Sequence, residues 1–592
     1  MNSVEIGNLF GDESRVATAI SSMWSDWKAA KSGWRDRIEE IKKYVFATST
    51  KETTNVQNEH DHSTHVPKLA QIADNLEANY LAALNLDGDW LRFEGFDQDA
   101  EKYQKKRAIL AYVETKNKIN GFSLENMKWL RDWIISGNCF GIVDYVNEFH
   151  TNPTTGERIN GYVGPRARRV SPDDIEFDIY ATNFESSPKI IRSVKTIAQL
   201  YRDYEENPGL GYSEDILELI KKNRDQAKKM SDSEIDKYIQ SQYDGFGSPS
   251  QYYKSDFVEI LELYGDIYDC DEEKWYKNYV ITVVDRRHVI RKEPLNTWSG
   301  RPYIFHCAWR LRPDNLWGMG PLENLVGMQY YINHLENARA DAFDQMIDAD
   351  RKIFGDVEIE YRGAAADYYI AEGGDVQFLA PDTTILNADF AIQRKEQQME
   401  EYAGAPREAM GIRTPGEKTK FESEILYNAS SRIFQSKIKH YEENFLEKIV
   451  NAQIECARIN LDAVDVVRIM DDDYGVAEFL KVTAEDLQAS GKLIPIGARH
   501  FAQQAALAQN LQIFSQVLAS DQMLQQHFPS ERLAKVWEDA LGLNKLDVFQ
   551  RFGRIQEQLE MQKQMAAAQN MFQRDQATID SVEMTENAQN QL

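Results

Sequence analysis

The stretch GIRTPGEKTKF, Gly411 to Phe421, comes within one residue of a phosphate-binding loop. Such a loop reads G-x-x-x-x-G-K-[ST]: its backbone N–H groups cradle the phosphates and its lysine folds back over them. Here Glu417 stands between Gly416 and the pair Lys418–Thr419. The insertion displaces the lysine and puts a carboxylate where phosphate charge would sit. A phosphate loop also follows a buried parallel strand, whereas the polar segment ADFAIQRKEQQMEEY precedes this one. No apolar strand ending in Asp follows it to hold a metal. The sequence therefore predicts an irregular, mobile loop shaped by Gly411, Pro415 and Gly416. Arg413, Lys418 and Lys420 give it positive charge in an acidic chain. Exposed cations on such a loop suit transient contact with phosphates. A plain connector between two helices is the competing reading.

Three other clusters could do chemistry. His60, His62 and His65 form H-x-H-x-x-H, a spacing that could hold Zn²⁺ or Ni²⁺. They lack an obvious carboxylate or thiol partner, and a solvated loop is expected. Asp471, Asp472 and Asp473 could hold Mg²⁺ for nucleic-acid cleavage. They sit just before Tyr474-Gly475, where a turn is expected instead. Trp24, Trp27 and Trp34 could stack on single strands, but their helical spacing among isoleucines predicts core packing. The four cysteines, Cys139, Cys270, Cys307 and Cys456, lie far apart without a C-x-x-C pair. Reduced, mostly buried thiols are expected. No catalytic residue, metal or cofactor is predicted.

The totals bound the partners. A chain of 592 residues suggests roughly four domain-sized units. Its 42% hydrophobic and 11% aromatic content is that of a globular protein. A formal net charge of −27 disfavours wrapping of nucleic acid by the whole surface. It is compatible with a protein that lets DNA pass without adhering. No apolar run approaches the roughly 18 residues of a membrane span. The start, MNSVEIGNLFGDESR, lacks the basic and apolar stretches of a secretory signal.

Periodicity supplies the elements. Ile20, Trp24, Trp27, Trp34, Ile38, Ile41 and Val45 recur at helical spacing, as do Leu69, Ile72, Leu76, Tyr80 and Leu84. More helix is predicted across 98–137. From 139 the period becomes two: CFGIVDYV, FVEILELYGDIYD, KNYVITVVDRRHVI and RPYIFHCAWRL read as strands. Residues 194–242, between them, read as helix. The predicted body is α+β with antiparallel sheet. Pro321 then opens a helix of about 28 residues, roughly 40 Å long. Its apolar stripe is Leu322, Leu325, Met328, Ile332, Leu335, Ala338, Ala342 and Met346, with Glu336, Asp341, Asp344 and Asp348 off the stripe. A short strand-rich insert, a second helix, the loop of the opening and a long helix over 420–460 follow. The long helix carries a seam of Phe434, Ile438, Tyr441, Phe445, Ile449, Ala452 and Cys456. Residues 461–497 read as short strands, and 498–519, 530–541 and the Gln-rich 551–576 as helix.

That order resembles the portal protein of tailed bacteriophages, and most closely the portals of short-tailed phages. GMGPLENLVGMQYYINHLENARADAF resembles the first stem helix, with Gln329 and Asn333 in the usual places. VSPDDIEFDIYATNFESSPKIIRS resembles a wing segment, and LKVTAEDLQASGKLIPIGARHFAQQ the run that returns to the wing. The resemblance covers about residues 10–545. It implies a wing over 1–319, continued at 461–500, and a first stem helix within 320–349. It further implies a clip at 350–387, a second stem helix at 388–403, a tunnel loop at 404–419, a long helix over 420–460 and a crown over 501–592. The implied function is structural: a ring, normally of twelve copies, forming a channel for double-stranded DNA at one capsid vertex of the virion. The implied partners are terminase, the tail adaptor, the major capsid protein and scaffold protein, with assembly in the host cytoplasm. In that setting Leu325, Ile332, Leu335, Ala342 and Met346 would pack the stem. Glu336, Asp341, Asp344 and Asp348 would face the channel as a non-adhesive wall. Arg413, Lys418 and Lys420 would touch the DNA backbone without reading sequence. Another virion or tail component, or a nucleotide- or metal-dependent DNA-processing enzyme, are the alternatives.

Overall fold

The computed structural model describes residues 3–46, 62, 64–84, 90–97, 103–151, 154–206, 257–347, 351–362, 365–370, 372–378, 387–403, 434–461, 464–471 and 476–496, with scattered positions in 212–221. The chain divides into two compact units, Met1–Gly497 and Ala498–Leu592. The described residues all belong to the first. The tunnel-loop residues Arg413, Lys418 and Lys420, the 411–421 stretch as a whole and the crown lie outside them.

Strand β1 (Ser3–Ile6) leads into α1 (Glu13–Ala30). Asp12 caps that helix, its carboxylate accepting from the N–H groups of Ser14 and Arg15. The helical pattern of the first segment is two helices, not one: α1 ends at Lys31 and α2 (Ser32–Phe46) follows. Trp24 and Trp34 are buried and Trp27 is half-buried, so the three indoles are core. Helix α3 (Lys68–Leu84) buries every residue of its predicted stripe. After β2 (Leu91–Gly95), α4 (Tyr103–Asn120) and α5 (Phe122–Ile135) meet at Gly121.

Strands β3 (Asn138–Thr151), β4 (Arg158–Val170), β5 (Ile175–Phe177) and β6 (Lys189–Thr196) follow, then α6 (Ile197–Glu206). Next come β7 (Phe257–Asp269), β8 (Lys274–Val284), β9 (His288–Pro294), β10 (Ile304–Ala308), β11 (Arg310–Arg312) and β12 (Asn315–Met319). Six strands form one sheet in the order β5-β6-β7-β8-β9, with β1 joining β7. Strand β6 pairs Phe257–Tyr264 of β7, and β1 takes up Asp266–Asp269 beyond it, in parallel. All other described pairings are antiparallel, including the sheet β10-β3-β4. The fold is therefore α+β, as expected. Helix α1 covers the large sheet through Val16, Ala17, Ile20 and Trp24 against Leu261, Leu263, Ile281 and Val283.

The body meets the helical hairpin at a glycine contact. Gly137, in the left-handed region at φ 72, lies so close to Gly320 that a Cβ on it would sit 2.2 Å from the Gly320 nitrogen. Helix α7 runs Val326–Ile347, 22 residues or about 33 Å. It is shorter than the expected 28 because Pro321–Leu325 are turns rather than a first helical turn. Leu322 and Leu325 are fully buried there and continue the stripe's burial without its helix. Strands β13 (Arg351–Phe354) and β16 (Asp375–Phe378) enclose β14 (Val357–Arg362) and β15 (Ala365–Ile370) as two nested hairpins. Helix α8 (Ala388–Ala403) returns. The described part of the long helix, α9, covers 434–460 and contains a π-helical turn at Glu442–Leu446. Its seam is buried at Ile438, Tyr441, Phe445, Ile449, Ala452 and Cys456, and Phe434 stacks on Tyr80 at 4.9 Å. Strands β17 (Val464–Asp471) and β18 (Val476–Thr483), the one-turn helix α10 (Ala484–Leu487) and β19 (Gly491–Pro495) close the unit; β19 pairs with β2. Asp471 ends β17, and Asp472 and Asp473 lie outside the described residues.

Candidate functional site

Helix α7 does not seat itself through its apolar stripe alone. Ile332 is fully buried, as is Leu325 just before the helix; Leu335 is half-buried and Ala342 is buried, but Met346 is exposed. The rest of the buried face is polar: Gln329, Asn333 and Asn337 are each at most 1% exposed. They stand four residues apart, so they form one row along the helix.

The row holds the chain leading into α3, at His62, Thr64, Val66 and Leu69, by its backbone. His62 N–H donates to Asp341 Oδ1 at 3.2 Å, Thr64 N–H to Asn337 Oδ1 at 2.7 Å and Val66 N–H to Asn333 Oδ1 at 3.1 Å. Leu69 N–H donates to Gln329 Oε1 at 3.1 Å. The amides also donate: Gln329 Nε2 to Val66 O at 2.6 Å and to Asn333 Oδ1 at 2.9 Å, and Asn337 Nδ2 to Thr64 O at 3.3 Å. Asn333 Nδ2 meets His65 Nδ1 at 3.2 Å. Burial holds the His65 imidazole below its ordinary pKa, which keeps it neutral and its Nδ1 free to accept. At the end of this segment Lys68 Nζ pairs with Glu400 of α8 at 2.6 Å, both side chains being buried. One stretch of chain thus ties the two helices of the hairpin to the body.

The acidic residues are individually partnered. Glu336 pairs with Arg339 at 2.5 Å, and Arg339 also meets Asp389 of α8. Asp341 takes the His62 N–H, and Asp344 takes His62 Nε2 at 2.6 Å. Asp348 lies outside the described residues. The His60-x-His62-x-x-His65 cluster is split accordingly: His62 turns to Asp344, His65 to Asn333, and His60 is not described. Among the described residues no group of three or more His, Cys, Asp or Glu side chains could hold a metal ion, and no helix is long and apolar enough to cross a membrane.

The hairpin is also where apolar surface is left open. Half of the exposed large hydrophobic side chains among the described residues fall between Tyr330 and Tyr402. They include Phe343, Met346 and Ile347 at the end of α7, Ile353 and Phe354 on β13, Tyr369 and Ile370 on β15, and Phe390 on α8. Ile347 is 84% exposed and Phe390 75%. Exposed apolar surface of this kind marks an interaction site.

Sequence periodicity missed the polar clamp because it weighs only apolar residues. Its signal was nevertheless present as Gln329, Asn333, Asn337 and Asp341 at a strict spacing of four. No protein-family model matches the chain, and no curated protein matches it.

Proposed function

We propose that the chain is a structural subunit of the portal type. It would assemble as a ring, of twelve copies by the resemblance, around a channel through which double-stranded DNA is packaged and ejected. The observation that supports the reading best is the hairpin: two helices that present exposed apolar side chains, joined by a small two-hairpin tip and rooted in an α+β body. A monomer gains nothing from exposing Phe343, Ile347, Phe354, Ile370 and Phe390 together; a neighbouring copy in a ring would cover them. The order of elements, with α9 entering the body next, supports the same assignment of stem to α7 and α8 and of clip to the nested hairpins. Tunnel-loop contact with DNA through Arg413, Lys418 and Lys420 belongs to this proposal. So do docking of terminase, tail adaptor, capsid and scaffold proteins, and a place in the virion. In it, copies each carrying −27 repel DNA from the wall and let it slide.

The test is negative-stain imaging with mass analysis of the purified full chain, alone and with scaffold protein. Rings with a central hole and roughly a dozen subunits are the expected result. Ile347→Glu with Phe354→Glu should reduce ring yield without unfolding the body. Compact monomers under both conditions, with ATP hydrolysis that depends on Lys418, would overturn the reading.

A further inference from the structure

Cys139 on β3 and Cys307 on β10 are direct cross-strand partners. The flanking bonds Val143 N–H to Tyr303 O at 3.0 Å and Trp309 N–H to Gly137 O at 2.8 Å fix the alternation of this antiparallel ladder. By that alternation 139 and 307 are a hydrogen-bonded pair, whose Cα atoms stand about 5.5 Å apart. A disulfide closes across about 4.4–6.8 Å. Directly opposed residues project to the same face of a sheet, and here the Cys139 thiol donates to Cys307 O at 3.6 Å. Both side chains are buried.

A third group completes the cluster. His440 on α9 places Nε2 3.1 Å from Ala308 O, and its Nδ1 receives the Asn444 amide at 3.0 Å. That leaves Nε2–H directed at the Ala308 carbonyl, next to Cys307 on the same strand. Burial pushes the Cys139 thiol well up. Burial also acts to raise Cys307, but its contacts with Cys139 and His440 and the nearby Lys448 charge hold it below its ordinary value. One sulfur is thereby prepared as nucleophile and its neighbour kept protonated.

We propose that Cys139 and Cys307 are a redox pair that closes to a cross-strand disulfide on meeting a small two-electron oxidant of the peroxide class. The Cys307 thiolate attacks a peroxide oxygen; the S–O bond forms, the O–O bond breaks, and the leaving hydroxide takes a proton to become water. The Cys139 sulfur then attacks the sulfenic sulfur, its proton leaving with the hydroxyl as a second water. Two thiols lose two electrons in all, and one hydrogen peroxide gains them. The bond would lock the start of β3 to β10, directly under the seat of α9.

The full chain, with Cys270→Ser and Cys456→Ser to leave only this pair, is treated with hydrogen peroxide, then denatured and alkylated. The expected result is loss of both alkylation sites, a mass decrease of about 2 Da, and a nonreduced peptide joining Cys139 to Cys307. Dithiothreitol should reverse all three. In the Cys139→Ser version of that chain, dimedone should label Cys307 instead. Two alkylatable cysteines after treatment of chain that retains its native circular dichroism would overturn the proposal. So would mass gain without a crosslink.

Discussion

Asn333→Leu separates the polar clamp from the hydrophobic reading of the same helix, because the two predict opposite signs. Leucine keeps the branched shape of asparagine and would extend the apolar face that already holds Leu325 and Ile332. Apolar burial alone would make the change stabilising by about 2 kcal/mol. The hydrogen bonds say otherwise. Asn333 accepts from Val66 N–H at 3.1 Å and from Gln329 Nε2 at 2.9 Å, and meets His65 Nδ1 at 3.2 Å. The substitution leaves the Val66 N–H with no acceptor in a part-buried position and strips one partner from Gln329 and from His65. An orphaned buried donor costs about 1–3 kcal/mol and each of the other losses about 1 kcal/mol. The sum of about 4 kcal/mol exceeds the apolar gain, so a net local loss of about 2 kcal/mol is expected. A chain of this size does not unfold in one step, so the assay is hydrogen exchange of a peptide covering 62–69. Exchange there should accelerate about 30-fold, with little change in the large sheet. Unchanged or slower exchange would refute the clamp as a stabilising device.

The buried pair Lys31–Glu176, at 2.8 Å with both side chains at most 2% exposed, gives two further expectations. Lys31→Met should destabilise by about 3–5 kcal/mol, and adding Glu176→Leu should recover most of that; hydrogen exchange of peptides covering α1 and β5 in both variants decides, and additive losses would refute it. Burial, opposed in part by Lys31, raises Glu176 to about 7. A raised folded pKa favours the protonated form, so this group's stabilising contribution is present at pH 4.5 and lost as pH rises through about 7. Glu176→Gln should flatten the stability profile between those values, and an unchanged slope would sink the assignment. Gly137→Ala should cost more than about 3 kcal/mol, since its Cβ meets Gly320 backbone at 2.2 Å and its φ is left-handed. Unchanged hydrogen exchange in peptides that cover Gly137 and Gly320 would contradict that contact.

Much of the body was legible because its helices are amphipathic and its strands alternate. The stripe of α3 was readable to the residue; on α9 the seam was readable from Ile438 to Cys456, but Leu446, Val450, Ile454 and Ala457 are buried beside it and were missed. The break at Lys31 was not, because Trp24, Trp27 and Trp34 keep their helical spacing across it. The start of α7 was misplaced for a related reason: Leu322 and Leu325 are buried by turns at the same spacing a helix would use. The parallel pairing of β1 with β7 joins residues far apart in sequence, and periodicity carries no information about partners. Of the candidate site, the apolar packing at Leu325 and Ile332 was foreseen. The acids were located, but their partners Arg339 and His62 were not.

Why a helix should hold an extended chain so regularly follows from two repeats. Four helical residues advance about 6.0 Å, and two extended residues about 6.6 Å. Acceptors at 341, 337 and 333 can therefore meet donors at 62, 64 and 66 in turn, the chain running opposite to the helix. The mismatch grows by about 0.6 Å at each step, as those two advances require. At the last rung α3 begins and the Lys68 N–H donates to Val66 O at 2.8 Å, so the partner of Gln329 becomes Leu69. Since the clamp reads N–H and C=O groups, the side chains of the held segment matter little to it. Thr64→Ala should leave exchange across 62–69 within about twofold of the original, whereas Thr64→Pro, which removes the donor to Asn337, should open it. If alanine and proline behaved alike, the segment would be held by its side chains, and the helix row would be an incidental neighbour rather than the support that aims the hairpin.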